Sequence, residues 1–446
     1  MSDVVPPPGD AAGPSGPDRP TGTTPRGLAR RLSVGVTDQL LSSGSNFLAL
    51  LVGARYLDAD GFGSFSLALL SYTLTLGITR ALCSEALLVR PGDTPASHRA
   101  RVADATGSAA WVGVVAAIAF SGAAVVSSTP LDRCFLLLAV AMPGLLVQDT
   151  LRYAAFARSQ PRAALESDAI WFVGLLVALA VLIGRGSPSA PAMLVAFAVP
   201  GVLAGGVQAW RERVRPAVGG GPRWISRHRD LSLRYLLDFL SGAGAAQLAA
   251  YVLVVVAGVA AVGSIRGAQT IFGPVNILLT GASIVLVPEG RHAARRSKRS
   301  LTAVCVVASA SFAALAAAML GIFLVLSPAE GRLILGSTWA SARTVVFPVG
   351  LASIAGGVLA GPMAGLRSLA AAKALLRIRF FTLPTTIALP IIGAVGWEAK
   401  GLAYGIAVSV WWNVAWYWSG YFRALRAFDG TVSDPTEAVP ADGGER

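Results

Sequence analysis

The chain has 446 residues, of which 54% are hydrophobic and 14% are charged, and 37 Lys and Arg against 24 Asp and Glu give a net charge of +13. Soluble domains carry about 25% charged residues, so this composition excludes a water-soluble globular protein. Only three cysteines are present, which excludes a small disulfide-rich fold. We therefore predict an all-α, multi-pass membrane protein, whose excess arginine orients helices in the membrane and does not bind nucleic acid.

Two polar tails flank the apolar part of the chain. Residues 1–33 are rich in Pro, Gly, Asp and Thr and predict a disordered cytosolic tail, without the apolar run of a signal peptide. Residues 423–446 predict a second such tail. Between them, twelve runs are long and apolar enough to cross a bilayer core of about 30 Å. In chain order these predicted spans are 34–55, 62–88, 108–127, 134–157, 168–184, 191–210, 235–257, 266–288, 301–326, 344–365, 376–396 and 402–422.

Arginine and lysine residues concentrate in every second connection between the predicted spans. Cytosolic loops carry the excess of positive charge in membrane proteins, so this alternation predicts that both termini are cytosolic. In this assignment Arg266 belongs to an outer connection and Arg80 alone is left inside a span.

The spans divide into two six-helix bundles of the same orientation, 34–210 and 235–422. A repeat is indicated by four residues that recur at an offset of 200. They are Asp38, Gly44, Gly63 and Ser64, which match Asp238, Gly244, Gly263 and Ser264. Parallel repeats of this kind are one transporter architecture, with the substrate path between the halves.

Residues 211–234 form the longest loop and join the two bundles. The loop is basic, and Pro216, Pro222 and a triple glycine predict a flexible cytosolic linker. Trp224, surrounded by arginines, is expected at the level of the lipid headgroups.

No motif for making or breaking covalent bonds is present. The glycine-rich stretches lack the strand-to-helix context and the lysine of a phosphate-binding loop. His98, His228 and His292 lie far apart in basic loops, which gives no zinc spacing. We therefore predict that the protein is not an enzyme and has no catalytic residue, cofactor or metal site.

Ionisable residues inside the spans are informative, because a charge near the bilayer centre costs about 2.5 to 3.5 kcal/mol or more. Arg80 lies deepest, in the second span. Glu85 follows five positions later and points about 140° away around the helix, so each is expected to face a partner elsewhere. In the fourth span, Asp149 and Arg152 have the i, i+3 spacing of an intrahelical pair.

Two roles are open for these charged residues. In the first, they are structural, and either form salt bridges that hold a gate closed or extend their side chains to the lipid headgroups. In the second, they contact an anionic headgroup or a coupling ion. The candidates for binding substrate are Arg80 and Arg152, and those for ion coupling or gating are Asp38, Glu85, Asp149 and Asp238.

Three neutral polar residues extend the set of cavity candidates: Gln247 in the seventh span, and Gln269 and Asn276 in the eighth. Gln269 and Asn276 are seven residues apart and lie nearly on one helical face. Polar residues of this kind either join helices to one another or bind substrate. The Gly-Pro-Val-Asn sequence that ends at Asn276 interrupts the helix near mid-membrane, which is tolerated where the backbone lines a cavity.

Residues 32–90 contain an Ala-Arg pair, an acidic turn and a Gly-Phe-Gly sequence, which here are Ala54, Arg55, Asp58, Gly61, Phe62 and Gly63. With these features the segment resembles the first two helices of polysaccharide exporters of the multidrug/oligosaccharidyl-lipid/polysaccharide (MOP) superfamily. It implies two six-helix bundles around a central cavity. It also implies alternating access that flips or exports a lipid-linked oligosaccharide across the bacterial inner membrane.

The implied partners are the lipid-linked saccharide, membrane lipids, and a polysaccharide polymerase or glycosyltransferases. A pyrophosphate headgroup would favour a cavity that contains Arg80 and Arg152. Two alternatives stay open. A cation-coupled multidrug efflux pump of the same superfamily is expected if the cavity is acidic and aromatic, and a non-transporting membrane scaffold if the buried charges all pair and no cavity exists.

Overall fold

A computed structural model describes residues 25–90, 94–158, 160–186 and 188–428. Side chains are described for residue 37 and from residue 41 onward, except at 95, 243, 245, 246, 283, 284 and 372. The remainder of both predicted tails lies outside the described residues. In the described ranges the regular structure is entirely helical, with no β-strand.

We number the helices of eight or more residues along the chain. They are α1 (Pro25–Tyr56), α2 (Ala59–Val89), α3 (Pro95–Val126), α4 (Leu131–Ala157), α5 (Pro161–Gly184), α6 (Ala190–Glu212), α7 (229–257), α8 (Val259–Ile271), α9 (Gly273–Arg296), α10 (Lys298–Val325), α11 (Pro328–Leu335), α12 (Val346–Ser368) and α13 (Ala372–Arg426). Two helices contain a π-helical turn, Arg80–Ser84 in α2 and Leu240–Gly244 in α7. Helix α1 begins at Pro25 and so extends into the predicted N-terminal tail.

Eight of the described helical segments are long and apolar enough to cross a membrane, and ten if each of two bent pairs forms one span. The predicted class of an all-α, multi-pass membrane protein is therefore confirmed. The count of twelve spans and the cytosolic position of both termini stay predictions.

Helix α13 is a hairpin of two antiparallel arms, 372–396 and 399–426. The backbone leaves the helical conformation at Trp397 and Glu398, where φ of Glu398 is +52°. Beyond the reversal, Gly401 packs on Gly393 so closely that a Cβ on Gly401 would collide with the carbonyl oxygen of Gly393. The two arms match the last two predicted spans.

Helices α3 to α6 pack mainly on one another and on α1 and α2, and helices α7 to α13 pack mainly on one another. The two groups meet where α2 contacts α7 and α8, and where α1 contacts α8, α9 and α11. At the α2–α8 contact Gly63 touches Gly263, its partner in the offset of 200, and a Cβ on Gly63 would collide with the carbonyl oxygen of Val259. The exact bundle boundaries predicted from the sequence stay predictions.

The linker 211–234 is packed against α2 and α3. The amide of Ala217 donates to the carbonyl of Ala103 at 2.9 Å. The indole Nε1–H of Trp224 donates to the carbonyl of Cys83 at 3.0 Å, and the Trp224 side chain is fully buried. The indole of Trp224 therefore packs in the protein core, where it has a hydrogen-bond acceptor. Its expected position at the level of the lipid headgroups stays a prediction.

Candidate functional site

A cavity of about 580 Å³ lies between the two groups of helices. Helices α1 and α2 form one wall, and α8, α9, α12 and the second arm of α13 form the other. Most of the lining is apolar or small. Polar side chains come from both walls. The first wall contributes Ser43, Asn46 and Thr73, and the second contributes Arg266, Gln269 and Asn276.

The polar end of the second wall is built around a break between α8 and α9. Helix α8 ends at Ile271, Phe272 is not helical, and α9 restarts with Gly273 and Pro274. Proline is favoured in the first turn of a helix because its missing N–H has no partner there in any case. Arg266 and Gln269 therefore come from the last turns of one helix and Asn276 from the first turn of the next.

Arg266 is the cationic residue of the lining. Its guanidinium donates to Oε1 of Gln269 at 3.3 Å. No carboxylate among the described residues lies within ion-pair distance of it, and none of the described lining residues is acidic. The lining thus offers a positive charge and several amide and hydroxyl groups, which suits an anionic, hydroxyl-rich ligand.

The motif that carried the family resemblance lies at the contact between the two groups of helices, and none of its residues lines the cavity. The carboxylate of Asp58 accepts from the amide of Gly61 at 2.9 Å and so caps the N-terminus of α2. Phe62 is completely buried. Arg55 donates to the carbonyl of Leu333 in α11. Together with the Gly63–Gly263 contact, these interactions join the two groups of helices at the predicted outer end.

A separate cluster of four charges lies within the first group of helices. Arg80 of α2 donates to both carboxylate oxygens of Asp149 in α4, at 2.9 and 2.7 Å. Arg152 lies 3.7 Å from Asp149 and 3.1 Å from Asp168 of α5. Two cations and two carboxylates balance, and all but Arg80 are buried. The cluster joins three helices.

The placement of the predicted charged residues follows from this cluster. Arg80 and Glu85 do not pair with each other, as expected, and the intrahelical pair of Asp149 with Arg152 is present. Neither Arg80 nor Arg152 is among the residues that line the cavity. Glu85 is half-buried and forms no ion pair with any described residue.

The remaining candidates divide between the cavity and its surroundings. Gln269 and Asn276 both line the cavity. Gln247 lies next to it, since its Oε1 accepts from the hydroxyl of Thr73 at 3.4 Å. Asp238 of α7 pairs with Arg379 on the first arm of α13. The side chain of Asp38 lies outside the described residues.

Sequence reasoning missed three residues of these sites. Arg266 was assigned to an outer loop, whereas it belongs to α8, which begins at Val259. The predicted span 168–184 begins at Asp168, and an acid followed by sixteen uncharged residues is a signal for a buried partner. Arg379 lies near the start of the predicted span 376–396, and no local signal in the sequence points to Asp238.

No family model matches the sequence, and no curated protein matches it significantly. An inward-facing structure of a multidrug resistance MATE family transporter of the MOP superfamily matches with a TM-score of 0.66 at 12% identity, over 90% of this chain and 99% of that one. The lipid II flippase MurJ, in an inward closed conformation, matches with a TM-score of 0.60 at 10% identity, over 89% and 90% of the chains.

An outward-facing structure of a MATE family transporter matches with a TM-score of 0.53 at 12% identity, over 91% of this chain and 97% of that one. Identities this low establish the fold alone. The chain has the fold of these membrane transporters. Membership of the MOP superfamily stays a prediction. The polysaccharide exporter family within it stays a prediction.

Proposed function

We propose that the protein is a transporter of the bacterial inner membrane that flips or exports a lipid-linked oligosaccharide by alternating access. It is not an enzyme, and its partners are the lipid-linked saccharide and the enzymes that make or polymerise it. The observation that carries the proposal is the cavity between the two groups of helices, with Arg266 in its lining and no acidic residue among the described ones.

The charge of the cavity favours an anionic substrate. An arginine in a low-dielectric site costs free energy unless a counter-charge offsets it. The described carboxylates leave Arg266 without one. A phosphate or pyrophosphate group offers the bidentate acceptors that guanidinium prefers, and the nearby amides of Gln269 and Asn276 can hydrogen-bond to sugar hydroxyls.

The size of the cavity agrees with a headgroup as the bound part of the substrate. A volume of about 580 Å³ lies within the roughly 300 to 1,000 Å³ of typical ligand pockets. This is enough for a phosphorylated headgroup with a short saccharide, while the lipid chain stays in the bilayer.

The second candidate function is cation-coupled multidrug efflux, because the MATE structures match over as much of the chain as the flippase does. A pump for cationic drugs needs carboxylates or several aromatic rings in its cavity. The described lining contains Phe47 as its aromatic residue and a cation that would repel such drugs. A non-transporting scaffold is less consistent still, because it needs no such polar cavity.

Of the four residues proposed for ion coupling or gating, two are held in ion pairs, Asp149 with Arg80 and Arg152, and Asp238 with Arg379. We propose that these two act mainly in joining helices. Glu85 is half-buried and free of ion pairs within the described chain, which makes it the better coupling candidate. The role of Asp38 stays a prediction from the sequence.

The test replaces Arg266 by Gln and measures transport in proteoliposomes, with a fluorescent polyprenyl-pyrophosphate sugar and with ethidium as probes. Loss of a charge-assisted hydrogen bond costs about 1.5 to 3 kcal/mol, so transport of the anionic probe should fall about 10- to 150-fold. Arg343→Gln is the matched control, because Arg343 is exposed at the same end of the bundle and does not line the cavity.

Three results bear on the proposal. Arg266→Lys should retain part of the transport, since it keeps the charge and loses the fork of donors. Unchanged transport of the sugar probe by a folded Arg266→Gln variant would refute the proposed substrate class. If the parent protein transports ethidium and Arg266→Gln increases that transport, the result would instead support drug efflux.

A further inference from the structure

A second pocket, remote from the cavity, lies between the two arms of α13 where they run away from the hairpin turn. Its volume is about 430 Å³, and residues that follow the end of α12, together with the last described residues, complete its rim. Six lining residues carry its chemistry: Lys373, Arg377 and Phe381 on the first arm, and Arg423, Gly420 and Trp416 on the second. We refer to it as the α13 groove.

The α13 groove has a basic end and an aromatic end. Lys373, Arg377 and Phe381 follow one another at steps of four residues, so they form one column along the first arm, rising about 6 Å per step. On the antiparallel second arm, Arg423 lies seven residues, about 10 Å, from Trp416. The cations of both arms are therefore together at the open end of the hairpin, and the rings lie nearer its turn.

The aromatic end is an ordered wall. The rings of Phe381 and Trp416 stack across the two arms, with centroids 5.2 Å apart and planes within 8°. The wall continues onto the outer surface of the hairpin, where Phe380 is 75% exposed and Trp412 is 45% exposed. An exposed aromatic surface on a membrane-spanning hairpin faces lipid chains.

The basic end has no counter-charge in the described structure. Lys373, Arg377 and Arg423 are exposed, and no described carboxylate lies within ion-pair distance of them. The described lining contains no acidic residue. The Nε–H of Arg423 donates to the carbonyl oxygen of Ser419, one turn earlier in the same helix. Three cations around one recess focus a positive field on it.

We propose that the α13 groove binds the anionic headgroup of a phospholipid, with the acyl chains lying along Phe381 and Trp416. The order of charge and ring along the groove matches that of a lipid, headgroup first and hydrocarbon next. The predicted orientation places this end at the cytosolic leaflet, where anionic lipids concentrate. Inorganic phosphate offers the same charge, but it would leave the aromatic wall unused. This site is independent of the transport proposal.

The test uses the full-length purified protein in detergent and titrates phosphatidylglycerol, phosphatidylcholine or inorganic phosphate, with bound lipid counted by native mass spectrometry. One Lys or Arg near an anionic surface strengthens binding by about fivefold. The double variant Arg377→Gln with Arg423→Gln should therefore bind phosphatidylglycerol about 25-fold more weakly. Phosphatidylcholine binding should not change.

The matched control is Arg158→Gln with Arg162→Gln, which removes the same charge from an exposed connection on the same predicted face. Its affinity for phosphatidylglycerol should stay within twofold of the parent. An equal loss in both double variants would overturn the site, because it would show attraction to surface charge in general. Competition by inorganic phosphate as strong as by phosphatidylglycerol would overturn the choice of a lipid.

A further variant distinguishes the lipid from the chain's own C-terminal segment. Residues 429–446 contain five acids and follow directly after Phe428, which lines the groove. Deleting them should leave the affinity for phosphatidylglycerol within twofold. A gain of tenfold or more would show that this acidic segment, and not a lipid, occupies the groove in the full chain.

Discussion

The pair of Arg80 with Asp149 allows a quantitative test of whether the buried charges hold the helices together. Replacing Arg80 by Met removes the donor to both oxygens of Asp149, whose side chain is 4% exposed. The cluster then changes from balanced to a net charge of −1, with Arg152 3.7 Å from the carboxylate. Breaking a buried pair costs about 3 to 5 kcal/mol. Because Arg152 remains, we expect the lower end, about 3 kcal/mol of unfolding free energy.

Removing both partners should reverse most of this loss. Arg80→Met with Asp149→Leu leaves Arg152 with Asp168, 3.1 Å apart, and restores a balanced charge. The double variant should unfold within about 1 kcal/mol of the parent, because a buried pair and its apolar replacement are often similar in stability. The measurement is reversible denaturant unfolding in mixed micelles, with transport of the sugar probe assayed on the same preparations.

The matched control is the exposed pair of Arg211 with Glu166, whose side chains are 53% and 62% exposed. Arg211→Met should change the unfolding free energy by at most about 1 kcal/mol, as exposed pairs do. If Arg80→Met proves as stable as the parent, the argument from buried charge is refuted. If the double variant is stable but does not transport, the cluster has a direct role in transport and not only a structural one.

Two further predictions concern close helix contacts. Gly63→Ala should push α2 away from α8 at a cost of about 1 to 3 kcal/mol. It should therefore speed the reaction of an impermeant maleimide with Ser66→Cys, a position that lines the cavity, by at least about fivefold. Gly122→Ala should not change this labelling rate, because a Cβ there meets no atom within 4 Å. The three native cysteines are buried and give a low background. Gly401→Ala should lower the unfolding free energy by about 1 to 3 kcal/mol. Gly396→Ala, at a position with open space around it, should leave the unfolding free energy unchanged or slightly raised. Equal effects at both positions would contradict the hairpin packing.

Local packing explains why one short sequence motif carried the resemblance. Asp58 caps α2, Phe62 is completely buried, and Gly63 allows α8 to approach. Each residue type has a local physical reason at its position. A motif of this kind fixes how two helices close at one end, and so it identifies a fold more readily than a substrate.

The sequence by itself determined the class of the protein and the position of its helices. Every predicted span overlaps a helix of the structure, because a run of about 20 apolar residues satisfies its backbone hydrogen bonds in lipid only as a helix. The seven-residue spacing of Gln269 and Asn276 also placed both on one side, and both line the cavity even though the helix is interrupted between them.

Only the tertiary structure decided which charges meet. Arg80 and Asp149 are 69 residues apart, and Trp224 bonds to a carbonyl 141 residues before it. Arg266 is the clearest case, since a hydropathy window averages over neighbours and assigns an arginine at the edge of an apolar run to a loop. Its place in the cavity depends on how α8 packs against α1 and α2, and that packing is set by contacts between residues far apart in the chain, which local sequence patterns do not encode.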